Sequence, residues 1–163
     1  MKTRPVLIAI LLLTLVTSVH FSQAQTAKSP LEFFGFEPGS DGNLFDYNQL
    51  IAYFRQLDEA SPRIQMREIG ESPMGKKMYM VFISSPKNLE KLDHYKDINR
   101  RLALDWQLRD AERDSLVAEN RVFVLATLSM HSNEVGPTQA VPQIAYTLAN
   151  TKDPDMLNCL QNV

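Results

Sequence analysis

An uncharged run, Val122-Phe123-Val124-Leu125-Ala126-Thr127-Leu128, passes directly into Ser129-Met130-His131-Ser132-Asn133-Glu134-Val135-Gly136-Pro137-Thr138-Gln139. Aliphatic, aromatic and β-branched residues in an unbroken run predict a central strand, buried on both faces. Polar turn residues follow, and a helix is predicted over Gln139 to Asn150, with Pro142 near its first turn, where a missing N–H costs little. Strand, turn and helix in that order confine the chain to the α/β class. The turn lies at the carboxyl end of the strand, where open α/β sheets bind ligands. His131 and Glu134 leave it three residues apart, so both side chains can reach one cation. Zinc accepts imidazole nitrogen and carboxylate oxygen, and a catalytic zinc site takes three protein ligands and a water. Only two of the three are visible in this segment.

The rest of the chain supplies more units of the same kind. Asp46 with Gln49 three residues on is a capping-box pattern. Tyr47, Leu50, Ile51, Phe54 and Leu57 then recur at helical spacing up to Ser61-Pro62. Arg63 to Gly70 alternates as a strand does, Glu71-Ser72-Pro73-Met74-Gly75-Lys76 is a turn, and Met78 to Ile83 is a second apolar strand, together a hairpin. The second strand is apolar on both faces, which predicts burial on both sides. Asn88 to Arg101 carries an amphipathic stripe, and Asp105 to Asn120 a weaker one on a charged, solvated segment. The expected architecture is α/β, a mixed β-sheet covered by helices on both faces, and incomplete at the C-terminus.

Ahead of these elements, residues 1–24 read as a signal peptide: Lys2 and Arg4, an apolar stretch from Val6 to Val16, and Ser22-Gln23-Ala24 at the cleavage end. The apolar stretch is shorter than the roughly 20 residues that span a bilayer. A secreted or periplasmic protein without a stable membrane anchor is expected. Residues 25–45, rich in Pro, Gly and Phe, form an irregular leader whose aromatics pin it to the domain. With 17 basic and 19 acidic residues and a net charge of −2, the chain offers no basic patch for nucleic acid. The single cysteine, Cys159, has no partner for an internal disulfide and reads as a small buried apolar residue.

A His-x-x-Glu alone is weak evidence, because the two side chains can simply pair across a turn. The surrounding residues carry more. From the helix capped at Asp46, through Arg67-Glu68-Ile69-Gly70-Glu71-Ser72-Pro73-Met74-Gly75-Lys76-Lys77-Met78, to the strand and the segment Met130–Gln139, the chain resembles the zinc carboxypeptidase family, its bacterial exported branch in particular. The resemblance covers about residues 46–163, which it marks as the N-terminal part of a catalytic domain. It implies Zn2+ held by His131 and Glu134, a third ligand and a general base supplied beyond Val163, and a peptide or protein substrate. No catalytic residue of its own is then expected in this chain. Asn133 stands where many digestive members carry a substrate-binding Arg; it can donate a hydrogen bond but no charge. His94 matches no ligand position of the family. Zinc would polarise the scissile carbonyl and activate a water.

With two ligands and no base, the chain by itself is expected to be inactive and marginally stable. Two other readings compete with an exported metallopeptidase. One is a related zinc amidohydrolase or deacylase acting on N-acyl amino acids. The other is a truncated, non-catalytic binding protein.

Overall fold

The computed structural model describes residues 27–163; the signal peptide expected over 1–24 lies outside them. Helix α1 (Pro30–Phe34) precedes α2 (Tyr47–Ala60), the strands β1 (Ile64–Glu71) and β2 (Lys77–Ile83), α3 (Pro86–Glu90), α4 (Leu92–Leu104), α5 (Asp110–Glu119), α6 (Val135–Asn150) and α7 (Pro154–Asn162). This is an α/β arrangement, with helices around a small antiparallel sheet. Among the described residues no helix is long and apolar enough to cross a membrane.

Local chemistry sets the helix starts. Asp46 caps α2 through a reciprocal pair: the Gln49 amide donates to Oδ1 at 2.9 Å and the Asp46 amide to Gln49 Oε1 at 2.8 Å. Ser29 and Glu32 make the same box on α1, a short helix within the leader, where the sequence predicts no regular element. In the hairpin, Ile64 pairs with Ile83 and Glu71 with Lys77, with a bulge between Glu68 and Gly70. Gly70 has φ 140°, a conformation that side-chain-bearing residues rarely adopt. The connecting turn closes through the Ser72 amide donating to the Lys76 carbonyl at 2.8 Å and the Gly75 amide to the Ser72 carbonyl at 2.9 Å.

The core lies where α2 and α6 meet the hairpin. Tyr53, Phe54, Leu57, Ile64, Ala145 and Ala149 form one buried cluster. Phe33 and Phe34 close on the Tyr53 ring at 5.1 and 5.3 Å, and Phe34 stacks on Phe45 at 4.5 Å. Offset and edge contacts of this kind add to the area that the rings bury. Tyr53 keeps its hydroxyl satisfied by donating to the Lys28 carbonyl at 3.2 Å, and burial pushes its phenol pKa well up. The leader is therefore part of the core.

Several expectations are corrected. Val122 to Leu128 forms no strand: it joins no ladder among the described residues, and Val124 and Leu125 are 78 and 73 % exposed. Apolar, β-prone composition makes a strand only where a partner edge exists, and the described sheet consists of β1 and β2 alone. For the same reason β2 is half-buried rather than covered on both sides. The helix predicted over 88–101 is two: Ser85 caps α3, and the chain turns at Lys91 before α4. Helix α6 starts at Val135, so Pro142 is interior rather than in the first turn. It deprives the Thr138 carbonyl of its helical donor while its ring is almost fully buried. Cys159 is exposed.

At the other end of the sheet, α7 docks by its C-terminus. Asn88 Nδ2 donates to the carbonyls of Gln161 at 3.1 Å and Val163 at 2.9 Å, and the Ser85 amide to Leu160 at 2.9 Å. These donors satisfy carbonyls that the helix itself leaves unpaired.

Candidate metal centre

The unpaired segment ends in a tight reversal. Leu128 has φ 61°, and the Ser129 amide donates to the Thr127 carbonyl at 2.8 Å across it. A positive φ under a bond from residue i+2 to residue i describes a γ-turn, a strained conformation for a branched aliphatic residue. A second turn follows, with the Glu134 amide donating to the His131 carbonyl at 3.1 Å and Ser129 Oγ to the same carbonyl at 3.0 Å. Glu134 is the N-cap residue of α6, yet its side chain makes no forward cap bond.

Its carboxylate bends back instead. Oε2 accepts the amides of Met130 at 3.3 Å and His131 at 3.2 Å, while Oε1 lies 2.9 Å from His131 Nδ1. The imidazole first, and then these two amides, hold the Glu134 carboxyl below its ordinary value, because each favours the charged form. The anion also sits at the positive end of α6. The side chains of His131 and Glu134 are 67 and 47 % exposed, so a nitrogen and a carboxylate oxygen converge where solutes can reach them. Asn133, between them in sequence, is also exposed.

The other titratable groups that sequence singled out lie elsewhere. His94 Nε2 is 2.8 Å from Glu119 Oε1, bridging α4 and α5. Among the described residues no group of three or more His, Cys, Asp and Glu side chains could hold a metal ion.

One positioning residue escapes sequence reasoning. Gln139 is buried in the second turn of α6, donates Nε2 to the Phe45 carbonyl at 3.1 Å and accepts the Phe45 amide at 3.3 Å. This two-way bond ties the helix that follows the His131–Glu134 turn to the aromatic core, across 94 residues of sequence. Spacing along the chain carries no signal for such a pair.

The sequence pattern of the family described as zinc carboxypeptidase matches residues 50–163, most of the chain and all of the turn. The chain belongs to the zinc carboxypeptidase family. Nothing matches significantly among curated proteins or among solved structures. The donor types fit the family's metal: imidazole and carboxylate suit zinc, and the side chains of both His131 and Glu134 are accessible. The family match suggests a metallocarboxypeptidase-like hydrolase, and His131 and Glu134 supply donor types that zinc takes.

Proposed function

We propose that this protein is an exported zinc metallopeptidase of the carboxypeptidase type, secreted or periplasmic, and that His131 and Glu134 are two of its zinc ligands. One observation carries the reading: the zinc carboxypeptidase family match over residues 50–163 includes His131 and Glu134, whose imidazole and carboxylate lie together on an accessible turn. Zinc bound there would polarise a substrate carbonyl and supply a hydroxide-like nucleophile near neutral pH. The chain's own residues provide the frame. Glu134 presents a charged carboxylate because the His131 imidazole and then the His131 and Met130 amides stabilise it, and Gln139 holds the following helix against Phe45. Asn133 offers a neutral amide to a peptide substrate, so a terminal carboxylate would gain a hydrogen bond there but no ion pair.

The third ligand and the general base come from outside the described residues in this reading. A two-ligand site binds zinc more weakly than a three-ligand one, so weak binding is expected of His131 and Glu134 alone. Calorimetric zinc titration of the chain and of His131→Ala and Glu134→Gln tests the assignment. One-site binding that either substitution abolishes supports it. Binding indifferent to both substitutions contradicts it.

A further inference from the structure

We propose that the groove between the first half of α2 and the tip of the hairpin is a binding site for an acidic peptide segment. The groove is open to solvent and has a volume of about 440 Å³, within the range of small-ligand sites. It shares no residue with the His131–Glu134 turn, and the proposal does not rest on zinc. Ile51 and Ala52 line it from α2, and Tyr47 and Tyr79 add aromatic rings. Every charged residue lining it is a cation: Arg55, Lys76 and Lys77.

Those cations are not equivalent. Lys77 Nζ is committed to Glu68 at 2.9 Å and Glu71 at 2.6 Å. Arg55 instead donates from Nη2 to the neutral Tyr79 hydroxyl at 2.9 Å, with its guanidinium 5.6 Å from the Tyr79 ring centre. That contact fixes the guanidinium, and among the described residues no carboxylate pairs with it. Lys76 lies in the exposed turn. The groove is also preformed, because the Tyr47 hydroxyl donates to the Lys77 carbonyl and ties the start of α2 to the start of β2.

Two positive charges beside an aliphatic and aromatic surface fit a ligand carrying carboxylates on an apolar body. An inorganic anion would leave the rings and Ile51 unused. A nucleic acid or an anionic membrane calls for a broad basic field, which a chain of net charge −2 does not present. A peptide of alternating Glu and Leu supplies both kinds of contact on one extended strand.

The test is fluorescence anisotropy with the full chain, without added metal, using a fluorescein-labelled, amide-capped peptide of alternating Glu and Leu. Saturable binding that weakens with added salt is expected, and Arg55→Gln combined with Lys76→Gln should weaken it on the order of tenfold. Lys76→Gln alone, in an exposed turn, keeps the fold and should weaken binding by a smaller factor. The proposal is overturned if the peptide fails to bind, if its Gln-for-Glu analogue binds equally well, if both charge substitutions leave binding unchanged, or if a single-stranded oligonucleotide or an anionic vesicle binds more tightly.

Discussion

The aromatic corner around Tyr53 and the segment from Val122 to Glu134 are built from similarly apolar sequence, and they end in opposite states. At the corner, α1, the leader and α2 close around Tyr53, which is fully buried. In the segment, Val122, Phe123, Val124 and Leu125 remain exposed with no ladder partner among the described residues. Hydrophobicity favours the burial of both. At the corner, the capping boxes of α1 and α2 return the chain to its own apolar surface, whereas the turns at Leu128 and His131 leave the segment's apolar residues exposed. Stability resides in the corner, and the candidate chemistry sits at the end of the less supported segment, consistent with functional groups lying on loops carried by a rigid scaffold.

Substitutions can break this contrast. Tyr53→Ala should destabilise the chain by about 3–5 kcal/mol, enough to unfold most of it in a urea titration, whereas Val124→Thr should change stability by less than about 0.5 kcal/mol. The reverse order would show that the segment, not the corner, holds the fold. Gln139→Ala comes next, because it leaves the buried Phe45 amide and carbonyl without partners. A loss of about 1–3 kcal/mol is expected, accompanied by faster amide exchange at Met130 to Glu134. Exchange unchanged there would mean that the core does not brace the turn.

A smaller effect of opposite sign is expected at Leu128. Its φ of 61° suits glycine, and Leu128→Gly should raise stability by about 1 kcal/mol through relief of strain, less the extra chain entropy of glycine. A clear loss would place the Leu128 side chain in a contact worth more than the strain. The smallest effect concerns pH. Glu134 has a folded pKa below its ordinary 4.5, so its contacts stabilise the turn above that value and are lost as pH falls through the depressed one. A carbon-detected NMR titration of Glu134 should give a midpoint below 4.5; a midpoint at or above it would show that the contacts to His131 and Met130 are not formed in solution.

Features encoded over a few residues were legible in the sequence. The Asp46–Gln49 box, the Ser72–Lys76 turn and the approach of His131 to Glu134 each need only local geometry. Long-range outcomes were not. The Val122–Leu128 run has every residue preference of a strand, but pairing depends on an edge elsewhere in the fold. Tyr53 falls beside the helical stripe drawn through Leu50, Phe54 and Leu57, and it becomes the centre of the core because Phe33 and Phe34 fold back onto it. The α3–α4 break at Lys91 follows from Ser85 capping a helix of its own, with Asn88 drawn to the end of α7. Of the candidate site, the two polar groups were visible; the Gln139–Phe45 brace was not.

The proposed zinc site stands or falls with His131 and Glu134. Its most direct test is a Zn2+ titration of the isotopically labelled chain, followed through the histidine ring resonances by NMR. The His131 ring is expected to shift with added zinc while the His94 ring does not, and Glu134→Gln should weaken the response. A response centred on His94 and Glu119, or none at His131, would contradict it.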